Sequence, residues 1–194
     1  MLSLSEIARG VGGTVRLMKG DLSGLAVLDR SREGFWRSFR AAALLAPLYA
    51  FYLLTRYVEM MSTASDVKIA LVEALRYSIE WTLFPVVLLE LTRPLGRASR
   101  YTGAVVALNW ANVPLLVMAV ALLSLTRLIA PPLLVPLSLI VDAGTTILVA
   151  RILKYTLDVP WTVAAGLAVL NLWLGLTLSF GVVDILGLRP IEGG

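Results

Sequence analysis

Three ionisable residues, Glu73, Arg76 and Glu80, share the segment EALRYSIEW (73–81), inside a run otherwise apolar enough to enter lipid. At 100° per helical residue, Glu73, Tyr77 and Glu80 fall within about 60° of one another, and Arg76 adjoins Glu80. The charge is therefore confined to one narrow stripe. Arg76 lies three residues after Glu73 and four before Glu80, so it can pair with either acid within its own helix. One guanidinium against two carboxylates leaves an acid in excess, and a buried carboxylate without a counter-charge binds a proton. Two chemistries follow: an ion pair that fixes the rotation of a helix, or part of an intramembrane ion or solute pathway.

Other apolar segments hold the groups that can join such a centre. Asn109 and Asn112 stand one turn apart in NWANVP, and Pro114 after them frees a carbonyl near Trp110. Asp142 is the single acid in its segment and shares a face with Ser138, Thr145 and Thr146. Asn171 occupies NLWLG. Amides in apolar helices make interhelical hydrogen bonds of about 0.6–2 kcal/mol, so each also fits a role as glue.

Much chemistry is excluded outright. The chain has no histidine and no cysteine, which removes disulfides, thiolate nucleophiles, Cys/His zinc sites and histidine-based triads. It contains no H-E-x-x-H, G-x-S-x-G, P-loop or G-x-G-x-x-G. Two-aspartate intramembrane chemistry needs a second buried acid beside Asp142, and Asp184 lies near the edge of its segment. The expectation is a protein that is not an enzyme and needs no cofactor or metal.

The elements that position these residues are membrane helices. The 194 residues are 58% hydrophobic and 15% charged, with mean hydropathy +0.84, against ~45–50% and ~25% in soluble domains. A chain of this size cannot hide so much apolar surface in its own core, and lipid is the better solvent. A crossing takes ~20 apolar residues. Five segments qualify: about Phe39 to Val58, Ile69 to Leu91, Thr102 to Thr126, Leu133 to Leu153, and Trp161 to Leu186. The fold class is all-α, a polytopic bundle over 39–188, preceded by an amphipathic region (1–38) and closed by a short tail (189–194).

In the N-terminal region, Leu4, Ile7, Val11, Val15, Met18, Leu22 and Leu25 recur in steps of three and four. Ser3 and Glu6 form a capping box. The expectation is a helix lying in the interface, its basic residues toward anionic lipid headgroups. In DRSREGFWRSFR (29–40), Phe35, Trp36, Arg37 and Arg40 are candidate interfacial anchors.

Basic residues set the orientation. Seven precede the first span (Arg9, Arg16, Lys19, Arg30, Arg32, Arg37, Arg40), three follow the second (Arg93, Arg97, Arg100) and two follow the fourth (Arg151, Lys154). The other side holds Arg56, Lys68, Arg127 and Arg189. Twelve against four predicts a cytoplasmic N-terminus and an external C-terminus. The same bias explains the pI of 9.7 without nucleic acid, which is not expected as a partner. The expected partners are the bilayer, other membrane proteins or a second copy of the chain.

This layout over residues 35 to 188 resembles the Yip (Ypt-interacting protein) family and its bacterial relatives. LNWANVPLL (108–116) is similar to an aromatic-then-proline segment of that group. DLSGLAVLDRSREGFWRSF (21–39) is similar to a segment ahead of the spans in bacterial membrane proteins. The D-L-Y-G-P motif of the eukaryotic members is absent. The resemblance implies a membrane-organising or trafficking role in a bacterial inner membrane and assigns no catalytic residue. The leading expectation is a non-enzymatic scaffold or accessory subunit. The second is a small transporter or channel-forming subunit using Glu73, Arg76, Glu80 and Asp142. An intramembrane enzyme comes third.

Overall fold

A computed structural model describes residues 3–57 and 60–190. They form eight α-helices and one two-residue strand pair. Helix α1 (Leu4–Met18) starts where the Ser3 side chain accepts the Glu6 N–H at 3.2 Å, the capping expected of S-x-x-E. Two short helices follow, α2 (Gly24–Val27) and α3 (Arg32–Ser38), the latter capped by Ser31. Then come α4 (Arg40–Tyr57), α5 (Asp66–Thr92), α6 (Tyr101–Ile129), α7 (Leu134–Leu157) and α8 (Trp161–Leu186). Ser65 caps α5, and Gly187 at φ +58 ends α8 in the left-handed conformation that glycine adopts without steric cost.

Four helical stretches are long and apolar enough to cross a membrane: Arg32–Tyr57, Ala98–Ile129, Pro131–Leu157 and Trp161–Leu186. The chain is thus a helical bundle with several membrane-compatible helices. Helix α5 has the length, at 27 residues, but its charged stripe sets it apart from the other four.

Helix α6 is the axis of the packing. Every residue from Gly103 to Ala111 is buried, and small side chains (Gly103, Ala104, Ala107, Ala111) let neighbouring helices approach closely. Helices α1, α3, α4, α5 and α7 all pack against it.

The N-terminal region differs from a single continuous stripe. Gly20, at φ +88, turns the chain back after α1, and Gly24 then sits so close to the Gly13 carbonyl that a Cβ would fall 2.2 Å from it. The buried face of α1 is Gly10, Gly13, Thr14, Leu17 and Met18, while Leu4 and Leu22 are exposed. That face rests on protein. A Cβ on Gly10 would lie 2.2 Å from the Trp110 ring of α6, and Arg151 of α7 donates to the Met18 carbonyl at 2.6 Å. Glycines that weaken an isolated helix are here the contact surface.

The bundle has two distinct ends. At one, Arg97 and Arg100, after α5, approach Asp158, after α7, at 3.9 and 3.2 Å, and Arg151 holds the end of α1. At the other, Met60–Met61 pairs antiparallel with Arg189–Pro190, Ser62 donates to the Leu186 carbonyl at 2.8 Å, and Lys68 to that of Ile185 at 3.0 Å.

Candidate functional site

The charged stripe of α5 is a closed network. Arg76 Nε meets Glu73 Oε2 at 2.9 Å while its Nη1 meets Glu80 Oε1 at 2.8 Å, so the one guanidinium serves both acids at once. The same Nη1 donates to Ser179 Oγ of α8 at 2.9 Å, and Nη2 donates to the Tyr49 hydroxyl of α4. Tyr49 donates onward to Glu73 Oε2 at 2.9 Å, and Tyr57 to Glu73 Oε1 at 2.6 Å. The Arg76 guanidinium also lies 5.5 Å from the Tyr49 ring centre, within cation–π range. Burial is nearly complete at Glu73 (2% exposed) and Arg76 (7%), but Glu80 keeps 29%. Both Glu73 oxygens have partners, which is what permits a charged pair in so apolar a place. The network ties α5 to α4 and α8.

Beyond Glu80 the network opens into a cavity of about 340 Å³. All five long helices line it, α4 with Tyr49, α5 with Tyr77, Glu80, Trp81 and Phe84, and α6 with Asn112. Helix α7 brings Asp142 and Thr145, and α8 brings Asn171. Each of these groups sits near the middle of its helix. The Tyr77 ring stacks on that of Tyr49 at 4.6 Å and its hydroxyl donates to the Ala42 carbonyl at 2.7 Å, fixing the aromatic wall. Asp142 differs from Glu73 in kind. Thr146 donates to its backbone carbonyl at 2.7 Å, but the Asp142 side chain has no ion-pair partner among the described residues. Around the cavity and its network stand three carboxylates (Glu73, Glu80, Asp142) and one guanidinium (Arg76). The excess of acids over the one guanidinium calls for a proton or another cation to balance it.

The structure therefore sorts the residues that the sequence groups together. Glu80, Asn112, Asp142 and Asn171 share the cavity; Glu73 and Arg76 form the network at its edge. Asn109 belongs elsewhere. It is buried one turn away, where its amide donates to Ser38 Oγ at 2.9 Å and ties α6 to α3. Tyr49, Tyr57 and Ser179 complete the network without any local sequence signal, apart from being hydroxyls within apolar segments.

The four candidate anchors also separate. Trp36 is exposed, and Phe35 packs on Phe39 and Tyr101. Arg40 is exposed. Arg37 faces acids of its own chain, with Asp29 at 2.6 Å, Glu33 at 3.6 Å and Glu6 at 3.7 Å. A second cavity, about 280 Å³, lies here among Glu6, Arg9, Asp29, Arg37 and Trp110; its two acids and two bases balance. The Asp29 carboxyl is held below the usual carboxylate range, first by the Ser31 hydroxyl, then by the Ser31 backbone N–H and by Arg37. No protein-family model, curated protein or solved structure matches the chain.

Proposed function

We propose that the chain is a five-span membrane protein that binds and moves cations, protons included, through its central cavity, as a small transporter or a transport subunit. One observation carries this reading: five helices bring an unpaired carboxylate, a half-buried one and two amides to one mid-bundle cavity. Intramembrane acids without partners are costly and mark pathways more often than frames. The Glu73–Arg76 pair, saturated on every side, belongs to the frame.

Helix α5 supplies the fifth crossing in this account. Its mid-helix charges, Glu73, Arg76 and Glu80, turn inward, while Val67, Leu71, Leu75 and Val86 face outward. The outward hydroxyls of Ser78 and Thr82 bond carbonyls of their own helix, so the outer face suits lipid. The end of the bundle rich in arginine is assigned to the cytoplasm, which leaves the C-terminus outside. The N-terminal helices form a cytoplasmic collar whose exposed basic residues face the headgroups. A C-terminal reporter active only outside the cytoplasm checks this placement, and signal from a cytoplasm-only reporter would refute it.

The test of function uses the full chain reconstituted in vesicles holding a pH indicator, with a negative interior set by potassium and valinomycin. The wild type should speed proton entry above that of empty vesicles. Glu80→Gln and Asp142→Asn should return it to that baseline, whereas Glu90→Gln, at an exposed surface pair, should not. Equal entry through wild type and Asp142→Asn overturns the reading.

A further inference from the structure

The walls of the cavity narrow the kind of cation it suits. We propose that the cavity binds an organic monocation with an apolar body, the cationic head toward Glu80 and Asp142 and the body against Tyr77, Trp81 and Phe84. The inference rests on the cation-binding reading above and adds the substrate class.

Three observations carry it. The volume of about 340 Å³ lies within the ~300–1,000 Å³ typical of small-molecule sites and far exceeds what a bare ion needs. The two carboxylates on its wall, Glu80 and Asp142, disfavour anions and leave a neutral solute without a reason to displace water from them. The remaining wall is aromatic and aliphatic: the Tyr77 and Trp81 rings lie 6.1 Å apart and edge-on, and leucines from α4, α5, α6 and α8 fill the rest. Such a wall takes the apolar body, and the Tyr77 ring one turn from Glu80 also favours an alkylated ammonium head, which is weakly hydrated and loses little on entering. Hard dications prefer six to eight oxygen ligands, and no group of three acids able to hold a metal exists among the described residues. A small monocation with an apolar body uses both halves of the lining.

The test is equilibrium binding of radiolabelled benzyltrimethylammonium to the full chain in mild detergent. Saturable one-to-one binding is expected. Neopentylbenzene, with carbon in place of the charged nitrogen, should compete at least tenfold less well, and sodium or magnesium at equal concentration should compete little. Asp142→Asn should weaken binding at least tenfold. Trp81→Phe should retain most of it and Trp81→Leu should not. The wild-type comparison of charged and neutral probes stands even if a variant fails to fold. Equal competition by the neutral probe, or no saturable binding, overturns the substrate class. If proton entry into vesicles still depends on Asp142 in that case, the cation reading survives and only this inference fails.

Discussion

The Tyr49 hydroxyl donates to Glu73 at 2.9 Å while accepting from Arg76, so a single side chain of α4 closes the ion pair of α5 from both sides. A tyrosine can do this because its hydroxyl both donates and accepts. The pair is thereby shielded from the cavity that begins at Glu80, and the frame is separated from the site it surrounds.

That separation predicts unequal costs. Arg76→Leu leaves Glu73 buried without its cation and should destabilise the protein by about 3–5 kcal/mol. Neutralising the acid as well, in Glu73→Gln/Arg76→Leu, should recover more than half of the loss in a detergent melting experiment. Glu80 needs no matching change, since it reaches the cavity. A melting temperature unchanged by Arg76→Leu would show that the network does not hold the helices together.

The contact between α1 and α6 predicts opposite outcomes for two neighbouring glycines. Gly10→Ala places a Cβ within 2.2 Å of the Trp110 ring and should lift α1 from the bundle, exposing residues 19–31 to protease. Gly12 has nothing within 4 Å of its Cβ position, so Gly12→Ala should gain helix propensity, about 1 kcal/mol, with proteolysis unchanged or slower. Similar proteolysis of the two variants would contradict the docking.

Asp29 predicts a pH dependence for the collar. Its folded pKa is lowered, chiefly by Ser31, so its stabilisation is present above the unfolded value of about 3.9. It is lost as pH falls through the folded value. The side chain is half exposed, so the effect is small. Thermal melts of wild type and Asp29→Asn should differ at pH 6 and draw together as the pH falls below the unfolded value of about 3.9. A gap that widens on acidification contradicts this assignment.

The long helices were legible because continuous apolar runs and their breaks need only local information. Helices α4 to α8 begin and end within a few residues of the bounds that the apolar segments predict. Arg76 bonding both acids follows from three- and four-residue spacing. What lies across helices was not legible: Tyr57 and Ser179 reach the network from 16 and 103 residues away, and periodicity says nothing about such partners. Asn109 sits one turn from Asn112, yet α6 turns it toward Ser38 rather than the cavity. Gly10 reads as a weakness in a helix until Trp110 is found against it.

The absence of cysteine makes one measurement of the central cavity free of background. Single substitutions Asn112→Cys, Thr145→Cys and Asn171→Cys place a thiol on its wall, and Leu139→Cys and Phe180→Cys place one on outward faces of α7 and α8. The cavity thiols should react with a trimethylammonium-bearing methanethiosulfonate faster than with its sulfonate analogue, after correction for the reagents' intrinsic rates. Asp142→Asn should reduce that preference, and the outward thiols should stay unreactive in a bilayer. Unreactive cavity thiols, or equal rates with both reagents, would contradict a cation-selective cavity at the centre of the bundle.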